Sequence, residues 1–137
     1  MAVKLRLGQK IKNYEILEAF DPGAFAFAYK ARDTSTKRPV FFKLYKSPSP
    51  TIRWFSAYVT HQEEIKTRIQ SGPAKNQCYE FIEFFIEKRF FHQVFEFVEG
   101  MSLKKCIDLL DEDPAAFTWE ARVVFAKVMM AGIKALH

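Results

Sequence analysis

The run Val40-Phe41-Phe42-Lys43-Leu44-Tyr45 constrains this chain more than any other stretch. Aromatic and β-branched residues dominate it, which predicts a buried strand. A lysine nevertheless sits in its middle. An ammonium inside an apolar strand needs a carboxylate, a phosphate or a route to water. Ahead of it lie Tyr14-Glu15-Ile16-Leu17-Glu18, a break at Asp21-Pro22-Gly23, and a second strand-like run from Phe25 to Ala31. Strand, glycine turn, strand, loop, then a strand with a buried lysine is one way to enclose a nucleotide phosphate tail.

The chain has 137 residues, enough for one domain with a real core. Fifteen phenylalanines suggest several strands with aromatic faces. A formal charge of +5 suits an anionic partner, and equally suits a solvated basic surface. Cys78 and Cys106 are too few for a disulfide or metal framework, and reduced, packed thiols are expected. Met1 to Lys12 is polar and basic without an apolar core, and no apolar run approaches the ~20 residues of a membrane span. These features predict a cytoplasmic protein with no membrane partner.

Residues 1–13 read as a basic lead-in. Strands are expected at Tyr14–Leu17, Phe25–Arg32 and Val40–Lys46, after which Pro48 and Pro50 break the sheet. Thr51 to Gln70 carries apolar residues at a helical period (Ile52, Phe55, Val59, Ile65, Ile69), and Ser71-Gly72-Pro73 stops the helix. Cys78–Ile86 and Phe90–Val98 read as a hairpin across Glu87-Lys88-Arg89. A short helix follows at Ser102–Leu110, and Thr118 is the N-cap of a final helix. That last helix is apolar nearly all round, as expected of a segment inside a larger body. Arg122, Lys127 and Lys134 argue against a membrane. An incomplete domain, prone to self-association through this helix, is therefore expected.

Three strands, a helix, two strands and two helices, with VFFK on the third strand and Phe95-Glu96-Phe97-Val98-Glu99-Gly100 at the end of the fifth, resemble the protein kinase superfamily. The resemblance covers the chain from Tyr14 onward. It implies an α+β fold: a five-stranded antiparallel sheet with one helix over 14–100, and the first two helices of a large lobe over 101–137. It further implies ATP with magnesium as cofactor, the magnesium ligands lying outside this chain.

By that resemblance Lys43 grips the α- and β-phosphates and pairs with a glutamate of the next helix. Glu63 and Glu64 lie at about the family's separation, although the helical period favours Gln62 for the sheet-facing position. The alternative for Lys43 is a strand lysine that snorkels to water, and for the glutamates a solvated helix face. The family's three loop glycines correspond to Asp21, Gly23 and Ala26, and its roof valine to Ala28. Gly23 and Phe25 keep the pattern, while a plain turn explains Gly23 as well.

Phe41 stands where the family keeps a small alanine beneath the adenine, facing the same way as Lys43. Its ring either reshapes the pocket roof together with Ala28 or plugs the pocket. Phe95 corresponds to the bulky residue behind the base, and the backbone groups of Glu96 and Val98 to those facing its edge. Ser102 matches a ribose contact, or simply a helix cap.

The resemblance makes the first expectation the N-terminal part of a Ser/Thr-kinase-like domain, ATP-binding in its parent. Phosphotransfer to a protein substrate is not expected of this stretch alone, because the catalytic and magnesium-binding residues of that family lie after the last helix. A kinase-like interaction module with an occluded pocket, in the manner of a pseudokinase, is the second reading. A basic nucleic-acid-binding domain ranks last.

Overall fold

The computed structural model describes residues 1–48, 53–113, 115 and 118–136. The chain is α+β and divides into two units, Met1–Arg68 with Tyr79–Val98, and Ile69–Cys78 with Glu99–His137.

The first unit is built on six antiparallel strands: β1 (Lys10–Ile11), β2 (Tyr14–Ala19), β3 (Ala26–Asp33), β4 (Pro39–Pro48), β5 (Phe81–Glu87) and β6 (Phe90–Glu96). Their order across the sheet is β1-β2-β3-β4-β6-β5. The sheet is curled: Glu83 of β5 accepts hydrogen bonds from Tyr14 of β2 and from Lys12 of the β1–β2 turn.

Alternation along β4 decides where the core lies. Val40, Phe42 and Leu44 are buried, whereas Phe41, Lys43 and Tyr45 are only partly so. Side chains on a strand alternate between faces, so the lysine shares no face with the core residues on either side of it. Tyr14, Ile16, Tyr29, Ala31 and Val94 complete the core on the Phe42 face. Burying a side chain such as Phe42 or Leu44 contributes about 1.5–3 kcal/mol. The amino-terminal segment lies along this face: Ala2 donates its backbone N–H to Lys46 O at 2.7 Å, and Leu5 donates its own to Tyr29 Oη at 2.9 Å.

On the opposite face lies α1 (Phe55–Ser71), a helix with no buried residue. It is anchored through rings: Phe55 and Tyr58 meet the buried Phe91 of β6 edge-on, at 5.0 and 6.3 Å between centroids. Gly72-Pro73 ends the helix, and a 3₁₀ turn follows at Pro73–Asn76.

The second unit contains that turn, α2 (Leu103–Glu112) and α3 (Trp119–Leu136). Ser102 caps α2 by accepting from Lys105 N at 3.2 Å, and Thr118 caps α3 by accepting from Ala121 N at 3.3 Å. Val124, Val128, Met130 and Ile133 of α3 are exposed. Cys78 and Cys106 are free, half-buried thiols. Among the described residues no helix is long and apolar enough to cross a membrane.

Three expectations are corrected. The sheet has six strands rather than five, because Lys10–Ile11 of the supposed lead-in turns at Lys12, φ 54°, and pairs with Tyr14–Glu15. Pro48 does not break β4 but closes it, opposite Phe90, after a register shift beyond Leu44. The strand expected from Cys78 begins at Phe81, since Cys78 N donates to Ala74 O in the 3₁₀ turn. Pro50, Thr51 and Ile52 lie outside the described residues.

Candidate functional site

Lys43 lies opposite Ala28 in the β3–β4 ladder and opposite Gln93 in the β4–β6 ladder. The small side chain of Ala28 leaves space beside the ammonium. Beyond it, the connection between β2 and β3 is tied down by Lys46. Its backbone N–H donates to Phe25 O at 3.0 Å, and its Nζ donates to Gly23 O at 2.7 Å. Gly23 itself has room for a Cβ, the nearest atom being Ala26 O at 3.6 Å, so this turn does not demand glycine.

A cavity of about 870 Å³ opens under the turn. Asp21, Gly23, Phe25 and Ala28 line it on one side, and Lys43 with Tyr45 forms part of its wall. Arg53, Trp54 and Tyr58 close it from the start of α1. Two cations, Lys43 and Arg53, thus share a cavity with one carboxylate, Asp21. The aromatic neighbour of the ammonium is Phe95, whose centroid is 5.9 Å from Nζ. Such a cavity is within the ~300–1,000 Å³ range of small-molecule sites, and its excess positive charge suits an anion.

Neither glutamate expected to partner Lys43 reaches it. Glu63 and Glu64 are exposed, and the residue of α1 turned to the sheet is Gln62. Gln62 Oε1 accepts from Gln93 Nε2 at 3.5 Å, while Gln93 Oε1 accepts from Tyr45 Oη at 3.0 Å. Tyr45 and Tyr58 share a hydrogen bond of 2.7 Å between their hydroxyls. Four side chains in a row therefore join α1 to the sheet. Burial, reinforced by the bond to Tyr58, raises the Tyr45 pKa well above its ordinary value, so its hydroxyl stays protonated.

The strand-end residues form a separate cluster. Phe41 stacks on Phe20 at 5.9 Å, Phe20 stacks on Phe97 at 6.3 Å, and Phe41 meets Phe95 at 6.4 Å. Lys30 Nζ stands 4.3 Å over the Phe97 ring. Glu96 is held by Glu80, whose N–H donates to the Glu96 carboxylate at 3.1 Å and whose carbonyl accepts from Glu96 N at 2.9 Å. Val98 is exposed. None of Phe41, Phe95, Glu96 and Val98 lines the cavity beside Lys43. Ser102 belongs to the second unit, where it caps α2.

The structure thus brings Gly23, Phe25, Ala28 and Lys43 together in one cavity; of the other expected site residues, Phe95 lies beside Lys43 without lining that cavity. Sequence reasoning missed Phe20, Tyr45, Arg53, Trp54, Tyr58 and Gln93. The available signal was the Arg53-Trp54 pair directly before the helix. Nothing local marks Tyr45 and Gln93 as partners, because they meet only through strand pairing.

A second cavity, about 760 Å³, lies between the amino-terminal segment and the core face of the sheet, with Leu44, Phe90 and His92 in its wall. His92 is 3% exposed and stacks on Phe85 at 4.7 Å. Its Nδ1 has no hydrogen-bond partner of good geometry among the described residues. Burial pushes its pKa below the ordinary histidine value, against the opposing pull of the Phe90 carbonyl, the Glu87 charge and the Phe85 carbonyl.

Fold and site together define an α+β protein whose curled antiparallel sheet carries a cationic cleft under the β2–β3 connection. No family model matches the chain, and no curated protein matches it.

Proposed function

We propose that the first unit is a protein-kinase-like small lobe whose cavity binds the phosphates of ATP. The observation that carries this reading is the shared lining of one cavity by Lys43, Gly23, Phe25 and Ala28. The order β2-β3-β4-β6-β5, with α1 inserted between β4 and β5, supports it. Lys43 supplies charge to the phosphates and Arg53 adds a second cation from the helix side. Turnover onto a protein substrate additionally requires an aspartate for the acceptor hydroxyl and carboxamide or carboxylate ligands for magnesium. In the kinase family these groups follow the last of the helices seen here.

A second reading, an interaction module of the pseudokinase kind, is favoured by the ring stack of Phe20, Phe41 and Phe97. That stack stands where the resemblance would put adenine. Thermal melting with Mg-ATP separates the two. Ligand at ~100 Kd stabilises the native state by about 2.7 kcal/mol, and Lys43→Met should abolish the gain while leaving the melting of the ligand-free chain little changed. Unchanged melting at millimolar Mg-ATP assigns the interaction module.

A further inference from the structure

We infer that the cavity beside Lys43 takes a phosphate ester of an aromatic group, a nucleoside polyphosphate, with its ring held between Phe25 and Trp54 rather than at the strand end around Phe95–Val98. This rests on the reading of the cavity as a phosphate site and specifies where the rest of the ligand goes.

Three observations converge. First, the strand end is already filled with protein rings: Phe20 lies between Phe41 and Phe97, parallel to both within 23° and 10°. A flat base entering there would have to displace a stack the chain supplies itself. Second, the cavity that does contain Lys43 has aromatic walls of its own. Phe25 and Trp54 both line it and are 79% and 57% exposed, so their rings are open to a ligand entering the cavity. The Phe25 ring makes no aromatic contact among the described residues. The ring contact of Trp54 among the described residues is with Tyr58, at 5.5 Å and 79°, a perpendicular arrangement and not a parallel stack. Third, the two cations of the lining, Lys43 and Arg53, belong to the same cavity as these rings. Arg53 adjoins Trp54 in sequence and Lys43 lines the same cavity, so a ring on Trp54 would share that cavity with both cations. Charge for a polyphosphate and π-surface for a ring are the two requirements of a nucleotide.

Trp54 emission reports the contact directly. The only other tryptophan is Trp119, in the second unit, so Trp119→Phe leaves Trp54 as the single fluorophore. Mg-ATP and inorganic tripolyphosphate, titrated in parallel, separate the ring from the phosphates. ATP should quench Trp54 and bind about tenfold or more tighter than tripolyphosphate, the increment expected of one base–aromatic stack. Phe25→Ala, which removes a ring with no aromatic contact among the described residues, and Trp54→Leu, titrated by calorimetry because it removes the fluorophore, should each erode that advantage while leaving tripolyphosphate affinity unchanged. Lys43→Met should lose both ligands. ATP that binds without altering Trp54 emission, with affinity indifferent to Phe25→Ala and Trp54→Leu, overturns the placement of the ring but leaves the phosphate site standing. Failure of both ATP and tripolyphosphate to bind overturns the two together.

Discussion

Gln93 lies directly across the β4–β6 ladder from Lys43, is 1% exposed, and spends both ends of its amide on other residues, Tyr45 and Gln62. What faces the ammonium across the strands is therefore a neutral group already committed elsewhere. The link from sheet to helix runs through hydroxyls and amides instead of an ion pair. This link carries no charge of its own, so it does not rely on an ion pair with Lys43.

Removing Gln93 should expose how much that chain contributes. Gln93→Leu keeps the volume but removes both hydrogen bonds, at an expected cost of about 1–3 kcal/mol in urea unfolding. Tyr45→Phe should cost less, since only one hydroxyl is lost. If the two residues act as one unit, a double-mutant cycle gives a coupling of about 0.5–3 kcal/mol. Strict additivity would contradict the network.

Adjacent phenylalanines should respond unequally. Phe42 is fully buried, with rings of Tyr14, Phe85 and His92 around it, whereas Phe41 is only partly covered. Phe42→Ala should cost about 3–5 kcal/mol, the usual range for a core ring. Phe41→Ala should cost clearly less. Equal losses would show that the two faces of β4 are buried alike.

Acid should weaken the fold through His92. Its folded-state pKa lies below the unfolded value, so the unfolded chain binds more protons as the pH falls below about 6.5. Stability is thus fully present above that pH and declines below it, by at most about 1.4 kcal/mol per pH unit for one group. His92→Phe, which keeps an aromatic ring against Phe85, should flatten the urea midpoint between pH 7 and pH 5. An unaltered slope would assign the acid sensitivity to other groups.

The β5–β6 turn carries strain that can be relieved. Lys88 and Arg89 both have positive φ, 49° and 72°, as a two-residue hairpin turn requires. Ordinary side chains pay about 1–2 kcal/mol per residue for that conformation. Replacing the pair with Asn-Gly should raise stability by about 1 kcal/mol and the thermal midpoint by a few degrees. A lowered midpoint would mean that the lysine and arginine side chains contribute more than their backbone costs.

Much of the architecture was legible beforehand because it is written in short-range pattern. The strands around Tyr14, Phe27, Phe42, Phe84 and Val94, and the helix through Tyr58 and Ile65, follow from apolar spacing with turns at Gly23, Gly72 and Lys88-Arg89. The helical period also pointed to Gln62 as the sheet-facing residue of α1. The two-residue strand at Lys10–Ile11 escaped because so short a strand has no period of its own and its turn is made by Lys12 without a glycine. Phe20, just past the end of β2, was not singled out; its stacking on Phe41 of β4 joins positions far apart in sequence.

Strand identity, helix phase and the placing of a lysine among aromatic residues are local properties, fixed by side-chain chemistry at neighbouring positions. Which groups would surround that lysine is not. The cavity residues come from the β2–β3 connection, from two strands and from the start of α1, and only pairing register and sheet curl bring them together. The same register sends Gln93, not a glutamate, to the position facing Lys43, because partners across a ladder are chosen by hydrogen-bonded alignment of whole strands and not by any one residue's charge.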